Sequence, residues 1–217
     1  MADFATRRTM MVDTQVRPSD VTKFPIIDAL LSVPREDFVP SSMIEAAYVG
    51  ENLTLPGGRV MLEPRTLAKM LDALDIQPTD VMLDLGCGLG YSTAVAAHLV
   101  DFVVAVESDE RLSEEAQANL SDHGIDNAAV MTNPLEDGCA ASGPYDLILI
   151  HGAVEQVPDS LVEQVKDGGR VAALFVEGAL GTARIGVKSG GRLAWRYAFN
   201  AGAPLLPGFQ KARSFAL

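Results

Sequence analysis

Cysteine is scarce in this 217-residue chain: Cys87 and Cys139 are the two present, too few for a disulfide framework or a cysteine-rich zinc centre. No metal site is therefore expected, and a reducing, cytoplasmic setting is. Histidine is almost as rare, with three residues and no His-Asp-Ser constellation laid out by motif. Bases are outnumbered, 17 Lys and Arg against 29 Asp and Glu, so a formal charge of −12 repels phosphate backbones and argues against nucleic acid as a partner. No stretch approaches the roughly eighteen uninterrupted apolar residues of a membrane span, and Met1 to Arg8 carries no apolar signal core. Neither export nor membrane insertion is expected. Internal repeats and low-complexity tracts are also missing, which leaves one well-filled domain with a modest addition. The oligomeric state is left open.

What the chain does have is a run from Val81 to Tyr91 that reads as a buried strand turning, on Gly86, Gly88 and Gly90, into a helix. Glycine has no Cβ and accepts positive φ, so such a turn lets bare backbone meet a nucleotide-like ligand. A dinucleotide fingerprint wants a small residue at the third glycine place of G-x-G-x-x-G, and Tyr91 stands there instead. The spacing G-x-G-x-G, with Asp84 two residues before it, suits a ligand that lacks a pyrophosphate and carries a cationic amine end. S-adenosylmethionine is such a ligand. A second apolar run, Phe102 to Val106, ends in Glu107, at about the distance, roughly 20 residues on, where nucleotide-binding α/β folds hold ribose hydroxyls. Taken alone, Glu107 reads equally well as a strand-end charge beside Asp109 and Glu110.

The periodicities predict an α/β, Rossmann-like, doubly wound and mostly parallel sheet. Strands are expected at 81–85, 102–106, 128–132, 145–150 and 171–176, with helices at 91–99, 110–122 and around Leu161 to Val165. Pro64 opens a helix whose Leu67, Met70, Leu71 and Leu74 form one apolar stripe. Ala183 to Val187 and Leu193 to Ala198 flank Ser189-Gly190-Gly191 and predict an antiparallel hairpin at the C-terminal edge. Residues 1–55 read as a helical cap laid against the domain formed by 56–217, with the soft boundary at Pro56-Gly57-Gly58. The apolar tail, Ala203 to Phe209, is expected to pack on its own domain as an edge-strand closure.

Four segments carry a closer likeness: Met11 to Pro18, Val33 to Pro40, the glycine turn, and Gly143 to Asp146 running through Val157-Pro158 to Gly168-Gly169-Arg170. They resemble the class I S-adenosylmethionine-dependent methyltransferases and, within them, the protein-L-isoaspartate O-methyltransferase family. The resemblance implies a soluble enzyme that methylates a carboxylate of damaged aspartyl residues in proteins or peptides. It implies that Asp84, Gly86, Cys87, Gly88, Gly90 and Tyr91 border the methionine end of the cofactor, that Glu107 with Ser108 holds the ribose, and that Asn133 and Pro134 lie by the adenine.

Two departures from that pattern stand out. Thr132-Asn133-Pro134 replaces the family's Gly-Asp-Gly, trading a carboxylate for a weaker amide acceptor. In the substrate loop, aligned on Pro64, Leu62 replaces the serine whose hydroxyl would meet the accepting carboxylate, and Glu63 adds a repelling charge. Arg59 and Arg65 read either as solvated surface arginines or as groups that have taken over carboxylate positioning. His151 reads either as a polar strand-end residue or as a group at the reaction crevice. A carboxylate acceptor is ionised at neutral pH and needs no general base, which matches the lack of a catalytic triad. Alternatives are a relative that acts on another acceptor and a non-catalytic binding module. A nicotinamide-dependent dehydrogenase is opposed by Tyr91.

Overall fold

The computed structural model describes residues 3–178 and 180–211. Its centre is a seven-stranded sheet. We number the strands in chain order: β1 (Leu53–Thr54) and β2 (Val60–Met61) form a separate small hairpin. The main sheet holds β3 (Val81–Leu85), β4 (Phe102–Glu107), β5 (Ala128–Thr132), β6 (Tyr145–Val154), β7 (Val165–Glu177), β8 (Leu180–Ser189) and β9 (Arg192–Asn200). Their order is β5-β4-β3-β6-β7-β8-β9, parallel from β5 to β7 and antiparallel at the β8 and β9 edge. This is the expected doubly wound architecture, and its order reverses between β3 and β6, where open α/β sheets form their crevice.

Strand residues alternate between two buried faces, as a sheet covered on both sides requires. Met82, Val103, Leu147 and Leu149 join one core cluster with Met11, Leu30 and Phe38 of the N-terminal segment and Leu67 and Leu71 of α3 (Pro64–Ala73). Leu83, Val104, Ile148 and Ile150 face the other cluster with Leu161, Leu206 and Phe209. The N-terminal segment contains α1 (Phe4–Met11) and α2 (Phe24–Ser32) joined through single turns. It shares the first core with the sheet. The β1–β2 hairpin crosses the boundary expected at Pro56, because Leu53 pairs with Met61 and Thr54 with Val60.

Helices α4 (Tyr91–Ala97) and α5 (Glu110–Asp122) follow β3 and β4, and α6 (Asp159–Glu163) follows β6. Asp109 caps α5 by accepting from the Leu112 amide at 3.1 Å, and Gly90 enters α4 at φ +94°. The predicted hairpin pairs Ser189 with Arg192 across Gly190 and Gly191, both at positive φ, as a two-residue turn demands. Two expectations need correction. β6 runs four residues beyond Ile150, so His151 lies within the strand. The tail closes no sheet edge: Leu205 bridges Ala153 in β6, the Ala153 and Leu206 backbones exchange hydrogen bonds with the opposite segment, and Leu206 and Phe209 fill the core beneath the crevice. Gly152 has no Cβ where Leu206 presses against it, which explains how the tail can lie so close.

Candidate active site

At the carboxyl end of β3 the glycine turn takes the conformation its sequence requires, with φ of +75° at Gly86, +58° at Gly88 and +94° at Gly90. Asp84 precedes it and is fully buried. One carboxylate oxygen accepts from Ser92 Oγ at 2.8 Å and Thr93 Oγ1 at 2.7 Å, both in the first turn of α4. The other lies 2.8 Å from His151 Nε2 of β6. Burial works to raise the Asp84 carboxyl, but the adjacent His151 imidazole and the hydrogen bonds from Thr93 and Ser92 outweigh it and hold the group below the usual carboxylate range. Burial, reinforced by the charges of Asp84 and Glu107, pushes the nearby Cys87 thiol well up.

Glu107 ends β4 with no exposure at all. It is a partnered buried acid, which sets aside the reading of a strand-end surface charge. Its carboxylate accepts from the backbone amides of Gly88 at 3.1 Å, Ser108 at 2.7 Å and Asp109 at 3.1 Å. Arg59 completes the ring: Nε lies 3.0 Å from both carboxylate oxygens, and Nη2 lies 2.9 Å from Oε1 and donates to Ser108 Oγ at 2.7 Å. Arg59 was expected at the methyl acceptor or in solvent; with 3% exposure it is instead the partner of Glu107, because the β1–β2 hairpin folds its tip over the glycine turn.

A cavity of about 10 Å³, enough for one water, lies between that hairpin and the turn. Leu62, Met61, Cys87, Tyr91, Ser92 and His151 are among the residues that line it. Leu62 and His151 thus line one cavity. Glu63 and Arg65 do not join them. Arg65 stands 3.6 Å from Glu63 and over the Phe199 ring at 5.8 Å, while Glu63 accepts from Thr66 Oγ1 at 2.6 Å, so both are engaged at the start of α3. At the far side, Asn133 donates to the Gly138 carbonyl at 3.1 Å, which leaves its own carbonyl free, and Pro134 is exposed.

Arg35 is the residue that sequence reasoning left without a role. It is fully buried, donates through Nε to the Ala47 carbonyl at 2.6 Å and through Nη2 to the Leu62 carbonyl at 2.8 Å, and stacks on Tyr91 at 4.8 Å. It thereby fixes the backbone of the cavity wall. Burial draws its guanidinium down from its ordinary value, partly offset by Tyr91. Ser92 and Thr93 were missed as well, although two hydroxyls in the first turn after an acid-ended strand are a readable signal.

Among the described residues no helix is long and apolar enough to cross a membrane and no His, Cys, Asp and Glu cluster could hold a metal ion. Residues 7–179 match the family described as Protein-L-isoaspartate(D-aspartate) O-methyltransferase. Proteins named protein-L-isoaspartate O-methyltransferase resemble the chain in sequence: that of Koribacter versatilis is 33% identical over 79% of this chain and 77% of its own length. That of Vibrio campbellii is 36% identical over 67% and 70%. A solved structure of that name superposes with a TM-score of 0.81 at 24% identity, covering 93% of this chain and 66% of that one. A Plasmodium falciparum structure described as a putative protein-L-isoaspartate O-methyltransferase in complex with S-adenosyl-L-homocysteine gives 0.78 at 16% identity, covering 95% and 99%. At those identities the structures establish the common fold. The match over most of the sequence goes further: this chain belongs to the protein-L-isoaspartate(D-aspartate) O-methyltransferase family, whose members are S-adenosylmethionine-dependent methyltransferases.

Proposed function

We propose that this chain transfers a methyl group from S-adenosylmethionine to a carboxylate of damaged aspartyl residues in protein or peptide substrates, using the crevice between β3, β4 and β6. The observation that carries the reading is the buried Glu107 carboxylate beside the positive-φ turn Gly86 to Gly90. The residues fit this cofactor in chemistry. Glu107 has acceptor oxygens for two ribose hydroxyls, with Ser108 beside it, and the Asn133 carbonyl can accept from an adenine amine next to Pro134. Asp84, kept ionised, attracts the ammonium of the methionine end along Gly86, Cys87, Gly88, Gly90 and Tyr91. The present cavity of about 10 Å³ is far too small, so the β1–β2 hairpin has to lift before the cofactor enters.

S-adenosylmethionine, when bound, supplies a methyl carbon activated by a sulfonium. The chain's own task is to hold the acceptor in line and exclude water. Leu62, Met61 and Leu55 supply the apolar wall that does the excluding. Leu62 has no hydroxyl for the acceptor carboxylate, so orienting it falls to the polar groups on the same cavity, of which His151 is one.

Labelled methyl transfer to an isoaspartyl peptide and to its aspartyl control tests the reading. Incorporation confined to the isoaspartyl peptide supports it. The absence of transfer by a protein that binds S-adenosylhomocysteine refutes the acceptor assignment and leaves a second reading, a family member that binds the cofactor without this activity. Leu62 favours that second reading.

A further inference from the structure

The two carboxylate oxygens of Glu107 are fully engaged by three backbone amides and the Arg59 guanidinium. A ribose diol would need the same oxygens. The loop that carries Arg59 also closes the rest of the site. Leu55 Cδ1 lies 2.7 Å from where a Cβ on Gly88 would be, so it occupies the space that the missing side chain leaves open. Val60, Met61 and Leu62 form the cavity wall. One element therefore covers the turn and fills its acid.

β1 and β2 have two residues each, and a hairpin so short is marginal on its own. Its tip, Gly57 at φ +67° and Gly58 at +73°, is exposed. Leu53, Leu55, Val60, Met61 and Leu62 anchor its strands in the core, while at the tip itself the polar tertiary contact is the forked pairing of Arg59 with Glu107 and Ser108, a geometry that guanidinium makes and an ammonium cannot.

We propose that Arg59 sets the affinity of this site for its methyl donor: it is an internal competitor that latches the hairpin tip, residues 56–59, on Glu107, and the nucleoside hydroxyls must displace it to bind. The proposal rests on the donor assignment made above. The latched form lowers apparent affinity by the fraction of molecules that are open, and binding shifts the population toward the open form. Removing the guanidinium leaves Glu107 with its three amide donors.

Arg59→Gln and Arg59→Lys, each checked for folding by circular dichroism, are compared with the parent by calorimetry and stopped-flow mixing with S-adenosylhomocysteine. Arg59→Gln is expected to bind at least tenfold more tightly. Observed association rates should level off with ligand concentration in the parent, where opening limits them, and rise linearly in Arg59→Gln. Arg59→Lys, which can make a point contact only, falls between the two, and it carries the comparison if the glutamine variant does not fold. Equal or weaker binding by the variants, with a parent that binds, overturns the latch and leaves the donor assignment standing. No binding by the parent or by a folded variant overturns the donor assignment itself.

Discussion

Leu62 stands where the family resemblance implies a serine, and introducing that serine has a cost that can be worked from the structure. The side chain is 1% exposed, in the core cluster shared by the N-terminal segment and the sheet. Truncating a buried leucine to the size of alanine destabilises by about 2 to 5 kcal/mol. A buried hydroxyl without a partner adds about 1 to 3 kcal/mol. The adjoining cavity of about 10 Å³ can hold one water for that hydroxyl, which brings the second contribution to its lower end. The sum for Leu62→Ser is about 3 to 6 kcal/mol, a large share of the roughly 5 to 15 kcal/mol that stabilises a typical domain. For a chain of this length each kcal/mol moves Tm by about 2 to 4 °C, so a fall of roughly 6 to 24 °C is expected. Calorimetric melting of parent, Leu62→Ser and the volume-conserving control Leu62→Met measures it. The methionine control should lose less than about 1.5 kcal/mol. A Leu62→Ser protein melting within about 2 °C of the parent would refute the placement of Leu62 in the core.

Two further outcomes follow from the buried carboxylate and the buried thiol. Asp84 titrates lower in the folded chain than the roughly 3.9 of an unfolded aspartate, so its stabilising contribution is full above that value and is lost as pH falls through the folded one. Urea midpoints at about pH 6 and pH 3 should therefore differ less in Asp84→Asn than in the parent, and identical pH dependence in both would contradict the hydrogen-bonded cluster around Asp84. Cys87, buried with its thiol pushed up, should resist a thiol reagent in the native protein and react on unfolding; rapid native modification at Cys87 would show the cavity to be open.

Local patterns carried the fold. The apolar runs at β3, β4 and β6, the glycine spacing and the Ser189 to Arg192 turn each depend on neighbours in sequence, so their type and order were readable. Helix and strand ends were less so: β6 continues through His151 to Val154 because, past an irregularity, Ala153 and Val154 pair with Leu174 and Phe175 of β7 and Leu205 of the tail bridges Ala153, contacts that no window of sequence contains. The same reason hid the chemistry of Arg59. Its partner, Glu107, is 48 residues away, and nothing local to Gly58-Arg59-Val60 distinguishes a latched arginine from a solvated one. Arg35 was visible only as part of a family-like segment; its grip on the Leu62 carbonyl exists only once the N-terminal segment is packed. By contrast, Glu107 and the glycine turn were legible together because a strand-end acid and a bare turn on the adjacent parallel strand meet in any sheet of this order.

A crystal structure of the protein grown with S-adenosylhomocysteine tests the central claim most directly. The account predicts the nucleoside along Gly86 to Tyr91, its ribose on the Glu107 carboxylate and Arg59 turned away with the raised hairpin. Ligand bound elsewhere while the Arg59 pair with Glu107 stays closed would contradict it.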